Sequence, residues 1–121
     1  MNYSNPVRQS LFTFQDCVEN KPKAEAAAEA LRKIYPGVVS TGVRILVPMP
    51  GHPVSPATLN QVTDDFRSLE KCVEDCDVMF LLMDTREARW LPTVMGAAQN
   101  KVIIRYLTFI SHSDPELPSD Y

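Results

Sequence analysis

Apolar residues recur at intervals of three and four in two stretches of the chain. Between Lys21 and Tyr35, Ala24, Ala27, Ala28, Leu31 and Ile34 share one helical face, while Glu25, Glu29, Arg32 and Lys33 stand elsewhere. Pro22 suits a first helical turn and Pro36-Gly37 stops the helix. From about Thr58 the positions Leu59, Val62, Phe66, Leu69 and Val73 repeat with the same spacing around Asp64, Asp65, Arg67, Glu70 and Lys71. This is the clearest amphipathic helix in the sequence.

Other stretches lack helical periodicity. Val43 to Val47 is short and rich in β-branched and large apolar residues, and Pro48-Met49-Pro50-Gly51-His52-Pro53 closes it with a stretch no regular element contains. A buried strand followed by an ordered loop is predicted there. Asp77 opens Val78-Met79-Phe80-Leu81-Leu82-Met83, a run without polar alternation that reads as a strand buried on both faces. A helix from about Glu87 to Gln99 follows, and Val102-Ile103-Ile104 is a third strand candidate. Strand, helix, strand, helix, strand predicts an α/β fold, a parallel sheet with right-handed crossovers covered by helices. Ser111 to Tyr121, rich in Pro, Ser and acid, reads as a frayed tail.

Length and charge narrow the classes. A chain of 121 residues is sized for one compact domain. Twelve basic and 15 acidic residues, a formal charge of -3, are scattered without a block that would grip a polyanion, so nucleic acid is not an expected partner. Met1 is followed by Asn2, Tyr3, Ser4 and Asn5 rather than a basic and then apolar signal, and no apolar stretch approaches the ~20 residues of a spanning helix. The chain reads as soluble and intracellular. Cys17, Cys72 and Cys76 are an odd set without a secretory signal and read as reduced thiols.

In parallel sheets ligands sit beyond the carboxyl ends of the strands, which puts Asp84 first among candidate site residues. A single carboxylate there suffices for Mg²⁺ when phosphate oxygens and water complete the shell, although the same residue also serves as a helix cap. Asn5 and Arg8 lie three apart, and a helical turn started by Pro6 would point both to one side, where the arginine clamps phosphate or packs its stem on Phe12. Lys21 and Lys23 are equivalent at this level. Cys72 and Cys76 share a helix face, but neither histidine is near enough in sequence to complete a metal set. Cys17, His52 and His112 form no nucleophile and base arrangement. Trp90 is expected to pack on the sheet, with Arg89 pairing with Asp84 or reaching a ligand.

The string Tyr3-Ser4-Asn5-Pro6-Val7-Arg8-Gln9-Ser10-Leu11-Phe12 resembles the segment after the ribose-binding aspartate in the autophagy branch of the ubiquitin-like modifier-activating enzymes. More loosely it resembles the Asn-Leu-x-Arg-Gln signature of the wider ThiF, MoeB and ubiquitin-activating superfamily. The resemblance continues through Lys21-Pro22-Lys23-Ala24, Pro48 to Val54, Phe80-Leu81-Leu82-Met83-Asp84-Thr85-Arg86-Glu87 and Arg89-Trp90-Leu91-Pro92, spanning roughly Asn2 to Ile104.

What the resemblance implies is specific. The fold would be a partial Rossmann-like sheet of ThiF type, residues 1–110 forming part of an adenylation domain and 111–121 a disordered or divergent tail. Asn5, Arg8, Gln9 and Lys23 would contact ATP, Asp84 would coordinate Mg²⁺, and Arg8 and Asp84 would carry the catalysis. The reaction would be attack by the C-terminal carboxylate of a ubiquitin-like autophagy protein on the α-phosphate, releasing pyrophosphate, before thioester transfer to a cysteine. Partners would be such modifiers, their conjugating enzymes and a second copy in a homodimer, in the cytoplasm or at autophagosome assembly sites. Gly37, Gly42, Gly51 and Gly96 are isolated, so no Gly-x-Gly-x-x-Gly occurs. On this resemblance that loop and the ribose-binding aspartate would precede Met1, and the thioester cysteine would lie downstream, with Arg105 to Tyr121 divergent. The 121 residues would then be inactive alone, a partial or truncated copy. A non-catalytic module that binds a ubiquitin-like protein or another activating-enzyme subunit stands as the alternative, and another doubly wound nucleotide-binding domain as a third.

Overall fold

The computed structural model describes residues 1–105, which fall into two compact units, Met1–Leu46 and the chain from Val47 onward. The predicted tail lies outside the described residues.

The first unit is helical. It contains α1 (Asn5–Arg8), α2 (Phe14–Val18) and α3 (Lys23–Ile34). Thr13 caps α2 through a reciprocal box, accepting from the Asp16 backbone N–H at 3.2 Å while its own N–H donates to Asp16 Oδ2 at 2.8 Å. Pro22 is the N-cap of α3, just outside its first turn, and Tyr35 closes the other end by donating its N–H to the Leu31 carbonyl at 2.9 Å. Burial in α3 runs through Ala26 and Ala28 rather than the whole predicted face, and Leu31 and Ile34 are exposed. The lack of a side chain at Gly42 permits a close approach to the start of this helix: a Cβ there would stand 2.4 Å from the Ala24 carbonyl oxygen.

The predicted strand at Val43 to Val47 does not form, and Val43 and Leu46 are exposed. A strand needs a neighbour to take its N–H and C=O groups, and among the described residues the two strands present pair only with each other.

The second unit contains α4 (Leu59–Glu74), β1 (Val78–Leu81), α5 (Arg86–Ala98) and β2 (Val102–Arg105). The strands are parallel, with Val78 opposite Val102 and Leu81 opposite Arg105. Parallel neighbours require a crossover, here α5. Gly96 lets this helix lie close to the sheet, since a Cβ there would meet Ile103 Cδ1 at 3.0 Å and the Met79 methyl at 3.2 Å. Val73, Leu81, Pro92 and Met95 form the buried core.

Met79, Leu81 and Ile103 alternate with a second set whose exposure corrects the expectation of a strand buried on both faces. Val78 is 41% exposed, Phe80 60%, Val102 57% and Ile104 44%. Helical cover is present on one side of the ladder, and these four residues form an apolar face on the other.

Gly42→Ala is expected to lower stability by about 1–3 kcal/mol, because the new methyl meets backbone rather than a side chain that can turn away. Thermal unfolding beside Gly37→Ala, where the nearest atoms are the Tyr35 ring at 3.1 Å, checks this. Equal midpoints for the two variants would contradict it.

Candidate functional site

In the first unit the site begins with a single helical turn. Asn5 is 3% exposed, its Oδ1 accepts the Asn2 N–H at 3.0 Å, and its own N–H donates to the Asn2 carbonyl at 3.1 Å. Cys17 Sγ donates to the same carbonyl at 3.2 Å, so α2 anchors the loop that holds Asn5. Arg8, at the end of the turn, is exposed. The turn expected from Pro6 forms, with the Asn5 amide closing a backbone loop and the Arg8 guanidinium in solvent.

Gln9 is the C-cap of α1, and its N–H donates to the Asn5 carbonyl at 2.9 Å. Its Oε1 is buried without a hydrogen-bond partner, an uncommon condition for a buried polar atom.

The two lysines separate. Lys21 Nζ donates to Glu29 Oε2, and this bond holds the ammonium above its ordinary pKa and the Glu29 carboxyl below its own. Lys23 opens α3 and is exposed, and among the described residues no hydrogen bond or ion pair engages its head group or that of Arg8.

In the second unit β1 ends at Leu81, and Asp84 stands in the loop before α5 rather than directly after the strand. The capping role that Asp84 could have taken belongs to Thr85, whose Oγ1 accepts the Ala88 N–H at 3.2 Å. Asp84 is exposed, and no described residue engages its carboxylate. No group of three or more His, Cys, Asp or Glu is placed to hold a metal among the described residues. A metal held by Asp84 would thus need oxygen ligands from phosphate and water, as Mg²⁺ at nucleotides has.

Among the described residues, this unit includes an apolar hollow and a basic cleft. One, of about 220 Å³, is lined by apolar and sulfur side chains including Leu69, Cys72, Val73, Cys76 and Met83, and has no charge to offer a phosphate. The other, about 480 Å³, is a cleft lined by Arg86, Arg89, Trp90, Thr93, Val94 and Arg105. Trp90 is 56% exposed at this cleft, which corrects the expectation that it packs into the core. Pro92 and Met95 point the buried side of α5 elsewhere.

The sequence profile of the ThiF family matches residues 1–113. The chain belongs to the ThiF family. It is 54% identical over 107 residues to the ubiquitin-like modifier-activating enzyme ATG7 of Homo sapiens and 54% over 105 residues to that of Gibberella zeae; each match covers 86% of this chain and 15% of the relative. The enzyme of the same name from Botryotinia fuckeliana is 52% identical over 105 residues. The chain thus spans about 15% of the length of the curated relatives it matches.

Within this ThiF segment, sequence reasoning passed over Arg86 and Arg105. Arg86 and Arg89 at i and i+3 were a visible signal, but the approach of Arg105 depends on strand register, which no local pattern shows.

The Thr13 hydroxyl and backbone N–H bonds hold the Asp16 carboxyl below its ordinary 3.8. A depressed folded value means the capping box contributes stability above that ordinary value and loses it as pH falls through the lower folded one. Carboxyl carbon NMR titration should find Asp16 below 3.8 in the chain and closer to 3.8 in Thr13→Val. The same titration midpoint in both proteins would remove the box as the cause.

Proposed function

We propose that this chain is the part of an ATG7-like activating enzyme that holds the phosphates and magnesium of ATP while the C-terminal carboxylate of a ubiquitin-like autophagy protein attacks the α-phosphate. The observation that carries this reading is Asp84: an exposed carboxylate beyond the carboxyl end of a parallel strand, released from capping because Thr85 does that work. Mg²⁺ bound there would neutralise charge on phosphate oxygens. Arg8 and Lys23 would add cationic head groups toward the phosphates, Arg8 by its planar fork and Lys23 as a point charge. Gln9 has a buried amide oxygen still lacking a donor, and Asn5 fixes the loop from which Arg8 projects. The partners on this reading are ubiquitin-like autophagy modifiers, their conjugating enzymes and a second copy of the enzyme, in the cytoplasm.

A second reading, a non-catalytic module that binds a ubiquitin-like protein or another activating-enzyme subunit, draws support from the exposed apolar face of Val78, Phe80, Val102 and Ile104.

In a full-length relative carrying the same motif, Asp84→Ala is expected to reduce ATP–pyrophosphate exchange by about 10² or more without lowering the unfolding midpoint, since it removes a solvent-facing ligand. Normal exchange at ordinary Mg²⁺ would end the assignment. The 121-residue chain by itself should release no pyrophosphate from ATP, Mg²⁺ and a ubiquitin-like protein, because the sequence holds no glycine-rich phosphate loop. Release above an Asp84→Ala control would instead make the short chain an enzyme.

A further inference from the structure

The hollow of about 220 Å³ in the second unit gathers sulfur from two elements that differ in their backbone. Leu69, Cys72, Val73 and Cys76 follow helical spacing and line it together, so the end of α4 turns one strip toward the hollow. Cys76 lies just past the helix, but Asp75 before it keeps helical backbone (φ -77, ψ -9), which carries the i, i+4 relation on from Cys72. Met79 of β1 and Met83 beyond its end line the same hollow. Both cysteines are free thiols, Cys72 exposed and Cys76 half-buried, which gives an ion a way in. None of these residues enters the nucleotide reading.

We infer that Cys72 and Cys76 bind a single soft monovalent metal ion of the Cu(I) type, with the thioethers of Met79 and Met83 as further donors. Thiolate and thioether sulfur are the soft ligands that select Cu(I), whereas Mg²⁺ and Ca²⁺ seek oxygen. Each ligating thiol releases its proton to solvent, and Cys76 Sγ gives up only a long bond to the Val73 carbonyl at 3.4 Å. Lys101 places its ammonium on the Glu74 carbonyl at 2.9 Å, at the same end of α4, where its charge offsets that of the two thiolates. Leu69 and Val73 flank the sulfurs with apolar surface, which limits the access of water to a bound ion.

The purified, reduced 121-residue chain would be titrated anaerobically with Cu(I) against bathocuproine disulfonate, a chromophoric chelator, with Zn²⁺ titrated in parallel. The expected result is one Cu(I) withdrawn from the chelator per chain, with an affinity that rises with pH as the thiols lose their protons. Uptake should be lost in Cys72→Ser/Cys76→Ser, which retains Cys17, and weakened about tenfold in Met79→Leu/Met83→Leu. Circular dichroism establishes that each variant keeps its helices. Cys72→Ala/Cys76→Ala replaces the serine pair if that unfolds, and Met83→Leu replaces the methionine pair. The inference is overturned by no withdrawal from the chelator, or by uptake that survives in the folded cysteine variant. It is overturned as well by bound Zn²⁺ that Cu(I) does not displace, or by equal affinity in the methionine variant or in the chain unfolded by urea.

Discussion

The parallel pairing of β1 with β2 is the constraint on which the second unit depends. Two parallel strands cannot be joined by a tight turn, so the chain must travel back along the sheet before it can pair again. That return is α5, and it fixes both ends of the unit. At the amino end of the strands Val102 donates its N–H to the Asp77 carbonyl at 3.3 Å, and Lys101 reaches the Glu74 carbonyl with Nζ at 2.9 Å. At the carboxyl end the turn into α5 presents Asp84 and then Thr85, while Arg105 arrives on the neighbouring strand.

How much of this was legible depended on whether the signal was local. Helical spacing located α3 and α4 to within a few residues, because a helix satisfies its backbone within itself and its apolar stripe is written into the sequence. Strands are different. Val43 to Val47 carries the same kind of apolar run as Val78 to Met83, yet only the second finds a partner among the described residues. Propensity states that a segment can pair; pairing itself is a long-range event. The short α2 escaped notice for another reason: its box, Thr13 with Asp16, places aspartate where the usual pattern has glutamate or glutamine.

Candidate site residues divide along the same line. Asp84 could be singled out from its place after an apolar run, but that Thr85 takes over the capping and leaves the carboxylate to solvent is a matter of folded geometry. Lys21 and Lys23 looked alike until Glu29 was found to engage one of them. Asn5 and Arg8 stand three positions apart on one turn, yet the first is buried and the second exposed. Spacing reports direction around a helix axis, whereas a helix of one turn is too short for direction to decide what each side chain meets.

Pro92 sits within α5 and cannot donate the backbone hydrogen bond that would otherwise reach the Ala88 carbonyl. The helix is therefore mechanically uneven. Its later turns are wedged against the sheet through Met95 and Gly96, whereas the first turn, carrying Arg86 and Arg89, is tied to the rest with one backbone bond fewer. The Thr93 hydroxyl, donating to the Arg89 carbonyl at 2.7 Å, and the Thr85 cap on the Ala88 N–H act as side-chain rungs on either side of the one the backbone ladder lacks.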